Sequence, residues 1–150
     1  MILPILQIGD KILRQKCTPV TEFNSDLRIL LDNMKQTLTE AKGAGLAAPQ
    51  VGKAIRVFIV DVEEGYFEFV NPAILGTSGS QYGIEGCLSV KGKWGDVKRP
   101  KKVTIEAYDR YGKKFKIVAR DFFAKAICHE NDHLDGILYV DKANNLRDDA

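Results

Sequence analysis

The most informative segment of this chain reads Phe122-Phe123-Ala124-Lys125-Ala126-Ile127-Cys128-His129-Glu130-Asn131-Asp132-His133-Leu134. It contains both histidines of the chain, four residues apart, with a glutamate directly after the first, which is the pattern H-E-x-x-H. Residues i and i+4 lie on one face of a helix, so His129 and His133 can bind one metal ion while Glu130 reaches a water molecule beside it. The pattern predicts a helix that carries a metal centre.

The alternative is a hydrogen-bonded pair of buried histidines without a metal. The helical stripe Phe122, Ala126, His129 and His133 is largely apolar apart from the two rings. Unligated imidazoles on such a face would be poorly solvated. The stripe therefore favours the metal site.

Towards the N-terminus we expect an amphipathic helix followed by an ordered loop. After the capping sequence Asn24-Ser25-Asp26, apolar residues recur at helical spacing up to a stop at Gly43, namely Leu27, Leu30, Leu31, Met34 and Leu38. The segment 43–52 is rich in glycine and has Pro49 near its centre, which predicts a loop.

The middle of the chain has the composition of β-strands. Segments 56–62 and 66–71 are rich in Val, Ile and Phe, and a hairpin is predicted where 103–109 meets 113–118 across Arg110-Tyr111-Gly112. After the H-E-x-x-H helix, which should end near Gly136, residues 137–140 are expected to add a short strand before a polar tail.

Composition describes an ordinary globular protein. The chain has 150 residues, of which 45% are hydrophobic and 28% charged, which suits one domain spanning 1–150 and argues against membrane and disordered classes. The apolar start, Met1 to Leu6, is brief and broken by Pro4, so we interpret it as a packed segment rather than a signal peptide.

The net charge limits the kinds of partner that we expect, and the cysteines indicate the cellular compartment. A net charge of +2 is too small to indicate a specific nucleic-acid partner. The local basic run is interpreted as a solvated face; it comprises Lys91, Lys93, Lys98, Arg99, Lys101 and Lys102. Three irregularly spaced cysteines make no disulfide framework, which favours a reducing, cytosol-like compartment.

Two imidazoles leave a tetrahedral ion short of a third protein ligand, and three cysteines compete for that place. Cys128 is rotated about 100° from His129 on the same helix and cannot easily converge on the same ion. Cys17 has no neighbours that suggest a ligand. Cys87 lies in Glu85-Gly86-Cys87-Leu88-Ser89, where glycine permits an unusual backbone, but a free cysteine is often only a small buried hydrophobe.

Three segments together resemble one family. Gly43-Ala44-Gly45-Leu46-Ala47-Ala48-Pro49-Gln50, Glu85-Gly86-Cys87-Leu88-Ser89 and His129-Glu130-Asn131-Asp132-His133 are similar, in order and in separation, to the three signature motifs of peptide deformylases. Each motif alone is weak to moderate, whereas the set is highly specific. The resemblance runs over essentially the whole chain.

The resemblance implies a fold and a reaction. The fold is an α+β single domain, with antiparallel strands packed around a central H-E-x-x-H helix and an amphipathic helix nearer the N-terminus. The reaction is hydrolysis of the formyl group from the N-terminal formyl-methionine of new polypeptides, with release of formate. The implied cofactor is one divalent metal ion, Fe(II) in the cell, with zinc, nickel or cobalt as substitutes.

The resemblance also assigns residues. Cys87, His129 and His133 are the implied metal ligands, Glu130 the general acid and base, and Gln50 with the backbone N–H of Leu88 the oxyanion donors. The expected substrate-binding residues border this centre and are Gly43, Ala44, Gly45, Ile84, Glu85, Ala126 and Ile127. For the apolar residues among them, ordinary core packing is an equally good interpretation.

Some positions depart from the family pattern. Cys128 replaces a common Gln, Asn131 an apolar residue, Ala44 a bulkier residue and Lys91 a common Pro. None of them is an implied ligand or catalytic group. They leave the implied chemistry intact and bear on pocket shape and peptide preference.

The C-terminal end bears on partners and origin. Many bacterial relatives continue into a long C-terminal helix used for docking on the ribosome, whereas only residues 137–150 follow Gly136 here. Ribosome docking therefore stays open for this chain. We expect a cytoplasmic enzyme, bacterial or phage-encoded and acting in a bacterial host, with nascent N-formyl-methionine chains as partners and no membrane partner.

Two rival functions remain at this stage. An H-E-x-x-H endopeptidase would take a downstream His or Glu as its third ligand, and no third histidine exists in the chain. In a non-catalytic metal-binding domain, Glu130 and Gln50 would be incidental. Formate release from a formyl-methionine peptide, measured beside cleavage of an unformylated peptide, separates the three functions.

Overall fold

The computed structural model of this chain describes residues 1–148, and the last two residues of the predicted polar tail lie outside that range. Helix α1 spans Ser25–Ala41 and begins where the Asn24 side-chain oxygen accepts a hydrogen bond of 3.1 Å from the N–H of Leu27. It ends at Lys42, which has a left-handed backbone. Helix α2 spans Asp121–His133 and carries the H-E-x-x-H residues. Both predicted helices are confirmed.

Within residues 1–148, eight strands form two antiparallel sheets. The first sheet has the order β1-β2-β3-β6-β7, with β1 Gly45–Ala47, β2 Val57–Val62, β3 Gly65–Ser78, β6 Lys102–Tyr108 and β7 Lys114–Arg120. The second has the order β4-β5-β8, with β4 Gln81–Cys87, β5 Val90–Arg99 and β8 Asn144–Asp148. The structure confirms an α+β domain and the predicted β6–β7 hairpin.

The five-stranded sheet is covered by a helix on each face. Along β2, Phe58 and Val60 pack in the core that includes α2, whereas Val57 and Ile59 pack in the core that includes α1. Side chains alternate between the two faces of a strand, so a strand buried on both faces is continuously apolar. Burial on both faces explains the apolar run Val57-Phe58-Ile59-Val60. The contacts of Phe58 and Val60 hold α2 against the sheet.

Two local predictions are wrong. The segment 43–52 is not only a loop, because it contains strand β1 and the 3-10 helix Ala48–Val51. β1 pairs with β2, which satisfies its backbone groups in a buried place. The predicted strand at 137–140 is instead the 3-10 helix Tyr139–Asp141, and the strand in this region is β8, further along.

The β4–β5 hairpin delivers the end of β4 to α2. Its register shifts between Glu85 and Cys87, and Cys87 pairs with Val90 at the tight end of the hairpin. A shift of this kind changes the direction in which the neighbouring side chains point. Among residues 1–148 no helix is both long and apolar enough to cross a lipid bilayer.

Candidate metal centre

Three side chains from two elements converge on one point. One ligand atom each from Cys87, His129 and His133 lies within 4.8 Å of the other two, and Cys87 Sγ is 3.4 Å from His133 Nε2. In a tetrahedral site with a metal–sulfur bond of about 2.3 Å and a metal–nitrogen bond of about 2.0 Å, these atoms would be about 3.5 Å apart. The donor set and its spacing fit one divalent metal ion.

The charges around the histidines also suit a cation. Burial lowers the pKa of His133 well below its ordinary value, which leaves the neutral ring that a metal requires. Burial also lowers the pKa of His129, but Glu130, Cys87 and Glu85 offset this and raise it to about 10. Negative groups are therefore in excess around His129, and a bound cation would neutralise them.

The ring of His129 is held by a buried acid. Its Nδ1 lies 2.8 Å from Glu85 Oε1, which leaves Nε2 for the ion. Arg99 in turn binds Glu85 through two hydrogen bonds of 2.9 Å and donates a third, of 2.7 Å, to Asp132. This chain of contacts fixes the orientation of a metal-binding ring from outside the centre.

The same contacts bear on two predictions. Glu85, an expected substrate-binding residue, borders the cleft, and its carboxylate is already engaged by Arg99 and His129. Burial raises the pKa of Glu85, and the hydrogen bonds from Arg99 and His129 overcome that and lower it to about 2. Arg99 was assigned to a solvated basic face, yet it is only 3% exposed.

Glu130 lies beside the centre in a buried place. Its Oε1 has no hydrogen-bond partner within the described part of the chain, and burial raises its pKa to about 7. A Cβ atom on Gly45 would lie 2.6 Å from Glu130 Oε2. Only glycine at position 45 therefore leaves room for this carboxylate, which explains one glycine of the first motif.

The amide of Gln50 is fixed from both ends. Its Oε1 accepts a hydrogen bond of 2.9 Å from the N–H of Ala47. Its Nε2 donates to Ser89 Oγ at 3.0 Å and lies 3.7 Å from Cys87 Sγ. The donor end of the amide is thereby held at the edge of the metal centre.

A cleft of about 400 Å³ opens beside these groups. It is bordered by most of the predicted site residues, which are Gly43, Ala44, Gly45, Gln50, Ile84, Glu85, Cys87, Leu88, Ala126, His129 and Glu130. The exception among the expected substrate contacts is Ile127, which has no exposed surface and packs in the core under α2. The helical rotation from Ala126 to Ile127, about 100°, turns that side chain away from the cleft.

Sequence reasoning missed three supporting residues, which are Ser89, Arg99 and Asp132. A signal for Arg99 exists along β5, where side chains alternate between the two faces. Val97 and Arg99 are buried while Lys98 between them is exposed. Reading residues 97–99 with a period of two would have separated the buried Arg99 from its exposed neighbour Lys98.

Comparison with known proteins agrees with this geometry. The family model of polypeptide deformylase matches residues 2–149. A peptide deformylase of Caldicellulosiruptor bescii is 53% identical over 133 residues, which are 89% of this chain and 80% of that protein. A peptide deformylase of Thermoanaerobacter pseudethanolicus is 48% identical over 145 residues, 97% of this chain and 91% of that protein.

Solved structures agree as well. The crystal structure of a peptide deformylase from Legionella pneumophila has a TM-score of 0.93 at 38% identity and covers 97% of this chain and 88% of that chain. The crystal structure of peptide deformylase from Thermotoga maritima has a TM-score of 0.94 at 32% identity and covers 96% of this chain and 99% of that chain. The fold, the three motifs and their meeting point therefore place this chain in the polypeptide deformylase family.

Proposed function

We propose that this cleft removes the formyl group from N-formyl-methionine peptides and releases formate, with one metal ion held by Cys87, His129 and His133. The observation that carries the proposal is the convergence of these donors within 4.8 Å beside a buried glutamate. Membership of the polypeptide deformylase family, a family of metal-dependent hydrolases, supports the same reaction.

The donor set also bears on the identity of the ion. A thiolate with two imidazoles suits iron, zinc, nickel or cobalt and disfavours magnesium and calcium. We propose Fe(II) as the ion in the cell. When bound, the ion polarises the carbonyl group and makes water more acidic. An iron–thiolate site is open to oxidation of its sulfur, so we expect activity to be lost in air.

Glu130 supplies the proton transfers. An amide resists hydrolysis because a proton must leave the attacking water and another must reach the departing nitrogen. A pKa of about 7, caused first by burial, lets Glu130 do both near neutral pH. Its unpartnered Oε1 is free within the described structure to accept the first proton.

Gln50 and Leu88 stabilise the charge that develops on the carbonyl oxygen. The Gln50 amide is held by Ala47 and Ser89, so its N–H groups need not reorganise during the reaction. The backbone N–H of Leu88 follows the ligand Cys87 directly and lies on the border of the cleft. We propose these two donors as the oxyanion site.

The methionine side chain needs an apolar wall beside the centre. Ile84, Leu88 and Ala126 border the cleft and supply that wall, whereas Ile127 does not. The glycines at 43 and 45 let the chain approach the substrate backbone closely. The enzyme would require a formyl group if the space at the ion fits the hydrogen atom on a formyl carbonyl carbon but excludes the side chain of any larger acyl group.

The substrate also suggests where the enzyme works. Nascent chains that begin with formyl-methionine are made in the bacterial cytoplasm, and we propose that compartment for the enzyme, in a bacterium or in the host of a phage. The cysteines support a reducing compartment, because all three are free thiols in the described structure.

The test uses protein purified without oxygen. We expect about one metal ion per chain, formate release from formyl-Met-Ala-Ser-amide, and no internal cleavage of the same peptide without the formyl group. Glu130→Gln should keep its metal and lose about 10²–10⁴ in kcat/KM, because it removes only the proton carrier. Internal cleavage, or full activity in Glu130→Gln, would overturn the proposal.

A further inference from the structure

Lysines surround the mouth of the cleft. Lys42 comes from the end of α1, Lys91 and Lys93 from β5, and Lys125 from α2. Lys42, Lys91 and Lys93 are exposed, and Lys125 is half-buried. We call these four residues the lysine rim. Because all four border the cleft, they act on whatever occupies it.

Among residues 1–148, little unpaired negative charge borders the lysine rim. The carboxylates that border the cleft are Glu85 and Glu130, and both residues are buried, at 4% exposure each. Glu85 is already neutralised by its ion pair with Arg99, whose Nε–Oε2 distance is 2.9 Å. Within the described part of the chain, the side chains at the mouth of the cleft therefore carry a net positive charge, even with Asp148 paired to Lys93.

The four lysines differ in how far they are already paired. Lys93 lies 2.7 Å from the exposed carboxylate of Asp148, and Lys125 donates a hydrogen bond of 3.0 Å to the carbonyl of Ile84. Lys42 and Lys91 have no ion-pair partner within residues 1–148. These two ammonium groups remain available to a ligand.

We propose that the lysine rim makes the enzyme prefer N-formyl-methionine peptides with acidic side chains at the second and third positions. This inference rests on the proposed function, since it assumes that the formyl group enters at the metal centre. An extended chain advances about 3.3 Å per residue, so the residues after the methionine pass out through the mouth of the cleft. There their side chains come within reach of the flexible lysines.

The expected preference is moderate. Opposite charges about 4 Å apart in water attract each other enough for roughly a fivefold change in affinity per pair. Exposed charges are screened within about 10 Å at 0.1 M salt. The preference should therefore be visible in kcat/KM at low ionic strength and should fade as salt is added.

The experiment compares formyl-Met-Asp-Asp-amide with formyl-Met-Asn-Asn-amide and formyl-Met-Lys-Lys-amide, using the metal-loaded enzyme and formate release. The Asp and Asn peptides have nearly the same shape, so their ratio of kcat/KM reports charge alone. We expect the Asp peptide to be better than the Asn peptide by about fivefold or more at low salt, and the Lys peptide to be the poorest. In 0.5 M salt the three should approach one another.

Charge reversal at the rim locates the effect. Lys91→Glu should reduce the Asp/Asn ratio by about fivefold or more, whereas Lys116→Glu, an equally exposed change on β7 outside the cleft, should leave it as in the unmodified enzyme. Equal kcat/KM for the Asp and Asn peptides, or a ratio untouched by Lys91→Glu and by salt, would overturn the inference. If no peptide released formate, the proposed function itself would fail instead.

Discussion

The two faces of helix α2 show what separates a structural surface from a reactive one in this protein. The face that carries Phe123, Ala124, Ile127 and Cys128 packs in the core against the five-stranded sheet. The other rows carry the polar residues His129, Glu130 and His133, and Ala126, which packs in the core and also borders the cleft. The helix is the same, and the difference lies in what each face meets.

On the core face, burial of apolar surface stabilises the fold directly. On the site face, burial of polar groups is unfavourable unless each group has a partner. Neighbours supply some of these partners, as Glu85 does for His129. Others are missing in the described structure, as for Glu130 Oε1 and His133 Nδ1. Glu130 borders the cleft, so a molecule bound there could supply the partner that its Oε1 lacks.

The two cysteines nearest the centre repeat the contrast. Cys128 follows the core face, and burial raises its pKa to about 11, so at neutral pH it is an inert thiol. Cys87 is half-buried at the end of β4, with its sulfur 3.4 Å from His133 Nε2. Position, not residue type, places only Cys87 in the Cys/His/His group that could hold a metal ion.

The largest expected effect comes from removing that ligand. Cys87→Ala should lose the bound metal and release formate no faster than the background, because two imidazoles alone hold the ion weakly. Metal analysis of the purified protein and a formate assay measure both changes. The matched control is Cys128→Ala, which should keep metal and activity. Equal behaviour of the two variants would break the contrast between the faces.

A smaller loss is expected when an oxyanion donor is removed from the site side. Gln50→Ala should lower kcat by about 10²–10³ while the metal content stays unchanged. The reason is that the Gln50 amide meets charge that develops only during the reaction. Steady-state kinetics with formyl-Met-Ala-Ser-amide measure it. A rise in KM with unchanged kcat would instead assign Gln50 to ground-state binding.

The smallest effect is expected on the core face. Ile127→Val should lower the free energy of unfolding by about 1 kcal/mol, since it removes one buried methylene group from a packed core. Urea unfolding of the metal-loaded protein measures it. The same variant should leave kcat/KM within about twofold of the original. A larger change in kcat/KM would show that Ile127 contributes to substrate binding and that the core face and the site face are not separate.

Local patterns determined much of this protein. The spacing of Leu27, Leu31, Met34 and Leu38 predicted α1, and the H-E-x-x-H pattern predicted α2 together with two ligands. The two helices were confirmed because helical periodicity is a short-range property that neighbouring residues impose on one another. The three motifs together also indicated the family from the sequence alone.

Long-range contacts decided the rest. Strands β4, β5 and β8 were not predicted, because glycines and charged residues interrupt the β pattern and pairing between distant segments supplies the stability. The burial of Arg99 depends on Glu85 and Asp132, which lie 14 and 33 residues away in the chain. Ile127 and Ala126 are neighbours in sequence and both pack in the core, and only the packing of α2 lets Ala126 also border the cleft. The sequence by itself determined which chemical groups are present and which helix presents them, whereas tertiary structure decided which of them meet, because that depends on pairing and burial between parts of the chain that no local pattern connects.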